Sequence, residues 1–349
     1  MDFNIKGYSI KKDSKPFIIA EVGINHNGDL DTAFKMIDAA KDCGVDCVKF
    51  QTFNADNFCG DKNQTYTYKS QGKEITESMY EMFKRVEFTQ EECEKIKQYC
   101  DKKNIIFMST PQDKADLDLL LKIGIPAIKV GSDDFVNLPL LKYYKSKKLP
   151  MILSCGMADL EEIKQVLDFI EYQKRPIALL LCTSQYPTPF ENINLNKLKT
   201  LRKEFPNLIL GFSDHSIGSL AASVSVGMEA VIFEKHFTLS HDMQGPDHWF
   251  SSTPDELKVW VDNIRNAYIS LGTSKLEPTK EEISMRELAR RRIIASKDIK
   301  KGEIFSEKNL TLKRAPKGLN GLQFYTIVDK IAKNDIKQGN SILKGDFDE

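Results

Sequence analysis

Three of the chain's five histidines fall within the eighteen residues FEKHFTLSHDMQGPDHWF, from Phe233 to Phe250. The first follows an apolar run, GMEAVIFEKHF, in which Glu234 and His236 stand two residues apart. In an extended strand that spacing keeps both side chains on one face. The same spacing recurs in Lys49 and Gln51 of VDCVKFQTF and in Ser213 and His215 of LILGFSDH. Other short apolar runs end in Glu21, in Ser109-Thr110, in Lys129 followed by Ser132, in Ser154, and in Thr183-Ser184 with Tyr186 beyond. Taken singly, each residue has a plain structural explanation: a buried serine bonds a carbonyl, a core histidine satisfies a neighbour, a lysine at a strand end reaches solvent. Taken together, two lysines, two carboxylates, two imidazoles and several hydroxyls describe a cavity whose pairing only ligands complete.

The residue types indicate which ligands. Lysines with a ring of hydroxyls suit a small, doubly anionic group such as a phosphate ester bearing a carboxylate. Two imidazoles from neighbouring strands suit a divalent transition metal with positions left open for substrate oxygens and water. Tyr186, Glu234 and Asp247 supply the fixed polar groups that a polyhydroxy substrate needs. The chemistry expected is that of an enzyme.

These residues share a site only if their strands converge. Eight apolar runs, at residues 16–24, 45–53, 105–110, 127–132, 150–156, 177–184, 208–215 and 230–237, alternate with amphipathic stretches such as DLDTAFKMIDAAKDCG and DELKVWVDNIRNAYISLG. Several of these stretches open on Asp or Thr, as helix N-caps do. Near-continuous apolar strands separated by helices are the signature of parallel strands buried on both faces. Eight such units predict an α/β fold, a (β/α)8 TIM barrel, with a doubly wound open sheet as the alternative. In the barrel the C-terminal strand ends face one mouth. The polar, aromatic insert at 54–88 reads as an extended loop over that mouth.

After Gly272 the texture changes. The organisation expected is a barrel over 1–272, a charged linker over 273–289 and a small β-rich domain over 290–349. Within the last, SKDIKKGEIF (296–305) and KNDIKQGNSIL (333–343) resemble each other.

Composition excludes several classes. The 349 residues are 41% hydrophobic and 29% charged, and 50 Lys+Arg balance 50 Asp+Glu, so no polyanionic partner such as nucleic acid is called for. Arg290-Arg291-Arg292 reads as solvated surface. Seven cysteines without a CxxC pair read as small core residues of a reducing compartment. With neither a signal-peptide pattern nor a membrane-length apolar run, the expected location is the cytoplasm.

The segments FIIAEVGINHNGD, VKFQTF, IKVGSDDFVNLPLL, ILSCGMADLEEI, CTSQYPTPFENINL, GFSDHSIG, EKHFTLSHDMQGPDHWFS and DIKKGEIFSEKNLTLKRAPKGL resemble, in that order and across essentially the whole chain, the bacterial sialic acid synthase family of N-acetylneuraminate and legionaminate synthases. The resemblance implies condensation of phosphoenolpyruvate with an N-acetylated hexosamine, either N-acetylmannosamine or a 6-deoxy-2,4-diacetamido hexose. It further implies a C-terminal antifreeze-like (SAF, β-clip) domain and a domain-swapped homodimer. Carried over, His215 and His236 would hold manganese or magnesium. Lys49, Lys129, Ser132, Ser154 and Ser213 would bind phosphoenolpyruvate, with Ser184 in place of an asparagine often found there and Gln51 and Thr110 beside them. Glu21, Tyr186, Glu234 and Asp247 would line the sugar and the reaction centre, and Arg314 would reach the N-acyl group from the other subunit. His241 is expected in an exposed loop, and His26 is expected to order the NHNG loop. The sequence departs from the common family pattern at Gln112, Asp133 and Ser184. The GPDH turn favours the sialic or legionaminic branch over the pseudaminic one. The alternatives are a 3-deoxy-2-ulosonate synthase acting on a phosphorylated sugar and a non-catalytic carbohydrate-binding protein.

Overall fold

The computed structural model of the chain describes residues 3–348 and divides into two compact units between Gly272 and Thr273. The first contains β1 (Phe3–Ile5), β2 (Tyr8–Ile10), β3 (Phe17–Gly23), β4 (Cys47–Thr52), β5 (Thr65–Ser70), β6 (Lys73–Ser78), β7 (Ile106–Pro111), β8 (Ile128–Val130), β9 (Met151–Ser154), β10 (Ile177–Cys182), β11 (Ile209–Asp214) and β12 (Ile232–His236). Eight of these form one parallel sheet in the order β7-β4-β3-β12-β11-β10-β9-β8. The last strand pairs with the first along Ile232↔Phe17 to His236↔Glu21. That closure rules out the open doubly wound sheet and leaves a barrel, nearly closed, with β7 and β8 side by side but without a ladder. Helices cross between successive strands, and capping boxes at Thr89/Glu92, Asp113/Asp116 and Asp159/Glu162 start three of them.

The strand period of two sorts the barrel residues. One face packs on the helices through residues such as Ile18, Ala20, Val48, Phe50, Leu153 and Leu179. The other face fills the lower barrel with Phe17, Ile19, Cys47, Met108, Ile152, Leu180 and Ile232. Stepping two residues onward along each inward column, apolar side chains give way to Glu21, Lys49, Thr110, Ser154 and Glu234. A dry core therefore lies directly beneath a polar mouth.

The N-terminal hairpin of β1 and β2 plugs the other end of the barrel, with Phe3, Ile5 and Ile10 packed on the lower inward face. Ile5 is fully buried, so Ile5→Ala is expected to destabilise the barrel by about 2–4 kcal/mol, read from urea unfolding. The insert at 54–88 is not the extended loop that its polarity suggests. It holds a short helix (Ala55–Phe58), the antiparallel hairpin β5–β6 and a helix (Met79–Val86). The hairpin is tied to the loop after β12: Gln71 Nε2 donates to Asp242 O at 2.8 Å, and Gly245 N donates to Ser70 Oγ at 3.1 Å.

In the second unit, β13 (Arg291–Ala295) and β14 (Leu310–Arg314) pair antiparallel over a core that includes Ile293, Phe305, Ile327 and Ile342. The two similar segments meet each other. Ile299 and Ile336 exchange backbone hydrogen bonds of 2.8 Å, Asp298 pairs with Lys337 at 2.8 Å and Asp335 with Lys300 at 3.1 Å. Part of the expected linker is instead a helix, Lys280–Ala289, opened by a Thr279/Glu282 capping box. No helix among the described residues is long and apolar enough to cross a membrane.

Candidate active site

Fourteen of the residues singled out in the sequence, Glu21, Lys49, Gln51, Thr110, Lys129, Ser132, Ser154, Ser184, Tyr186, Ser213, His215, Glu234, His236 and Asp247, line one cavity of about 560 Å³ at the C-terminal ends of the strands. Arg314 is exposed at the end of β14 in the C-terminal unit. Four charges form the floor: Glu21, Lys49, Lys129 and Glu234 are 2%, 3%, 2% and 5% exposed. Lys49 Nζ lies 2.6 Å from Glu21 and 3.8 Å from Glu234, and donates to Thr110 Oγ1 at 3.0 Å. Lys129 Nζ lies 3.7 Å from Glu234 and donates to Ser154 Oγ at 2.9 Å. Gln51 Nε2 donates to Glu21 and Ser213 Oγ to Glu234, at 3.1 and 3.2 Å.

The two carboxyls are not equivalent. Burial pushes Glu21 above its ordinary range, and nearby Glu234 adds to the rise that Lys49 only partly offsets. Burial works the same way on Glu234, but Lys129 and Lys49 overcome it and hold the group low. Glu234 Oε2 is nevertheless buried without a hydrogen bond. Among the lysines, Lys49 is kept charged by Glu21 and Glu234 against its burial, whereas burial lowers Lys129. A carboxyl pair driven apart in this way is the arrangement that separates acid and base roles.

The imidazoles of His215 and His236 stand 5.4 Å apart between ring centres. His215 Nδ1 donates to Thr183 O at 2.8 Å, which leaves the Nε2 lone pair inside the site. His236 Nδ1 is buried without a hydrogen bond, and burial pushes that ring well below the usual histidine range, so it is neutral at pH 7. Against its burial, Cys182, Thr183 O and Glu234 raise His215; with its Nε2 proton given up, this ring and the neutral His236 with its orphaned nitrogen fit a divalent ion. Among the described residues no group of three or more His, Cys, Asp or Glu side chains could hold one. Tyr186 packs on both rings, at 4.1 Å from His215 and 5.5 Å from His236, and Phe250 backs it at 5.0 Å.

Asp247 Oδ2 lies 3.7 Å from His236 Nδ1, and burial, with Glu21 nearby, pushes its carboxyl up to about 7. A carboxyl whose pKa is raised on folding binds more protons folded than unfolded between its two pKa values, so stability is lost as pH rises through that window. Asp247→Asn is therefore expected to stabilise the chain by on the order of 1–3 kcal/mol at pH 8 and by less at pH 5, as compared by urea unfolding, while turnover falls.

The remaining histidines are structural. His26 stacks on Phe88 at 4.0 Å and its Nδ1 accepts from Gly28 N, ordering its loop. His241 is exposed, and His248 is buried against Thr238 Oγ1 at 2.6 Å. Gln112 and Asp133, like Ser184, face the cavity. Gly156 is required by the close approach of two serines: a Cβ there would meet Ser184 Oγ at 2.5 Å and Ser132 Oγ at 2.7 Å. Sequence reasoning passed over Cys182, which lines the cavity with its Sγ 3.8 Å from His215 Nδ1. It also passed over Phe250 and the insert residues Phe58, Met79, Met82 and Phe83. Cys182 follows Ala178 and Leu180 at the strand period on the inward face of β10, and that column is the signal that finds it.

Residues 36–276 match the NeuB family and residues 290–348 match the SAF domain. The chain is 40% identical over 339 residues to the uncharacterized protein MJ1065 of Methanocaldococcus jannaschii, covering 97% of this chain and 96% of that one. It is 37% identical to N,N'-diacetyllegionaminic acid synthase of Legionella pneumophila, covering 94% and 93%. The crystal structure of N-acetylneuraminic acid synthetase from Leptospira borgpetersenii, in complex with citrate, superposes with a TM-score of 0.73 at 33% identity, covering 83% of this chain and 97% of that one. The first family match falls on the barrel that carries the charged mouth and the second on the C-terminal unit, and the likeness to named synthases runs nearly the length of the chain; this protein is an enzyme of the NeuB family with a C-terminal SAF domain.

Proposed function

We propose that the enzyme condenses phosphoenolpyruvate with the open-chain form of an N-acetylated hexosamine, giving a nine-carbon 3-deoxy-2-keto acid and phosphate. The observation that carries the reading is the pair Lys49 and Lys129, almost fully buried in one cavity with two imidazoles 5.4 Å apart. Buried cations in such number are tolerated where an anionic ligand completes their pairing. The names of the Legionella and Leptospira relatives support it.

In this reading Lys129 with Ser154 and Ser132, and Lys49 with Thr110, seat the enolpyruvyl phosphate, with Ser184, Ser213 and Gln51 at its edges. C3 of the enol bonds to the acceptor's aldehyde carbon, water adds at C2, and the C2–O bond breaks to release phosphate. Lysines already fixed on the phosphate need no reorganisation as charge gathers there. Glu21, the high-pKa carboxyl, takes the proton of the attacking water, while Glu234, Tyr186 and Asp247 hold the sugar. A manganese or magnesium ion held by His215 and His236 would supply Lewis acidity toward the acceptor's carbonyl. The same reading has the enzyme working in the cytoplasm as a domain-swapped homodimer, with Arg314 of one copy reaching the N-acyl group bound by the other; its exposure at the end of β14 supports that role.

The test is phosphate release from phosphoenolpyruvate with manganese across N-acetylated hexoses, with and without a sugar phosphate. Release that requires an unphosphorylated N-acetylated hexose is expected. Release only with phosphorylated sugars, or with none, would end the reading.

A further inference from the structure

Behind the two imidazoles, on the helix side of the barrel wall, lies an ion pair that the reaction does not use. The apolar residues Leu210 and Phe212 of β11 and Phe233 of β12 run on, at the strand period, into Asp214 and Lys235. Both are buried, at 1% and 4% exposure, and neither lines the cavity. They face each other across the β11–β12 ladder. Asp214 stands between Ser213 and His215, and Lys235 between Glu234 and His236. Lys235 Nζ donates to Asp214 Oδ2 at 3.2 Å and to Ser216 O at 2.6 Å. Asp214 Oδ1 accepts from Ser216 N at 2.9 Å and from Ser216 Oγ at 2.6 Å, and Trp260 Nε1, on the helix Pro254–Leu271, donates to Oδ2 at 2.8 Å. A well-packed apolar pair of the same volume would serve stability in that layer at least as well, so the charges call for another reason.

The histidines supply one. His215 is oriented by its own bond from Nδ1 to Thr183 O. His236 Nδ1 has no hydrogen bond, so that ring is aimed by packing and by its backbone. The backbone is held on one side by Ser252 N, which donates to His236 O at 2.9 Å, and on the other by Lys235, which ties β12 to Asp214 and to the turn at Ser216. We infer that Asp214 and Lys235 are positioning residues: their pair locks the tips of β11 and β12 so that the rings of His215 and His236 stand 5.4 Å apart, and it thereby sets the affinity of the site for a divalent ion. The inference rests on the reading above in which those two imidazoles hold that ion.

The test titrates the full chain with manganese alone, reading the free ion by electron paramagnetic resonance and stability by urea unfolding. The double variant Asp214→Asn with Lys235→Met removes both charges at nearly constant volume and leaves neither unpaired. It is expected to unfold near the wild-type urea midpoint, yet to bind manganese about tenfold more weakly or worse. Its lost turnover is expected to return as manganese is raised. Trp260→Phe keeps both charges, removes one donor to Asp214, and is expected to weaken manganese binding in the same direction by a smaller factor; should the double variant not fold, the Trp260→Phe constant decides. Manganese bound as tightly by the folded variants as by the wild type overturns the positioning role and leaves the histidines as the ion's ligands. A wild type that binds no manganese overturns both.

Discussion

Lys49→Met is expected to lower turnover by about a thousandfold and to destabilise the chain by about 3 kcal/mol. Lys49 stands between two buried carboxylates, 2.6 Å from Glu21 and 3.8 Å from Glu234. Without it, Glu234 keeps Lys129 at 3.7 Å, but Glu21 keeps only the amide of Gln51 at 3.1 Å. An unpaired buried carboxylate escapes by taking up a proton. Glu21 is already raised by burial and by Glu234, and losing the lysine removes the group that opposes that rise. A group whose folded pKa is raised loses stability as pH climbs through it, so the penalty in the variant grows from pH 5 to pH 8. Urea unfolding at the two pH values reads that slope, and phosphate release reads the turnover. Adding Glu21→Gln to Lys49→Met is expected to restore most of the stability and none of the activity, which separates the two effects of the lysine. An equal penalty at both pH values would mean that solvent already screens the pair.

The chemistry of this mouth is legible because the strand period runs unbroken from core to site. Ile19 leads to Glu21, Cys47 to Lys49, Met108 to Thr110, Ile152 to Ser154 and Ile232 to Glu234, each two residues apart on the inward face. A polar residue that continues an apolar column cannot point elsewhere without turning the whole strand. Cys182 obeys the same rule, but a cysteine does not announce itself as polar, so it read as core. What stayed hidden lacks a strong local signal. The β1–β2 and β5–β6 hairpins each turn on a residue followed by glycine, both with left-handed backbone, at Lys6-Gly7 (φ 46° and 92°) and Gln71-Gly72 (φ 51° and 74°). That is tight-hairpin geometry, but neither pair is the Asn-Gly or Asp-Gly that usually marks it. β5 and β6 are also polar on most of both faces. The helix Lys280–Ala289 buries none of its residues, so periodicity has nothing to read. Its Thr279/Glu282 capping box was the one local signal available. Which neighbouring strands would fail to pair, β7 and β8, is set by how eight tilted strands close and has no counterpart in the sequence of either.

His236→Ala is expected to reduce turnover by about a thousandfold or more while leaving the folded chain about as stable as before, and chelation of the wild-type enzyme is expected to have the same effect. The ring does little for stability: His236 Nδ1 is buried without a hydrogen bond, and its desolvation offsets its packing against Tyr186 and Phe250. Because its pKa is depressed, any stability linked to its neutrality is present above the unfolded histidine pKa and is lost only as pH falls below it. At neutral pH the substitution therefore removes a lone pair and little else. Ligand-linked stabilisation isolates that lone pair: a ligand at a hundred times its Kd raises stability by about 2.7 kcal/mol. Saturating manganese is expected to raise the thermal midpoint of the wild type, and both His215→Ala and His236→Ala are expected to lose that increment along with turnover. Since His215 Nδ1 is committed to Thr183 O at 2.8 Å, only its Nε2 remains to contribute. Either ring alone leaves a single nitrogen among the described residues, where no third acidic, thiol or imidazole group completes a set. An undiminished manganese shift in both alanine variants, or full turnover after chelation, would remove the ion from the reaction and leave the charged floor as the sole source of polarisation.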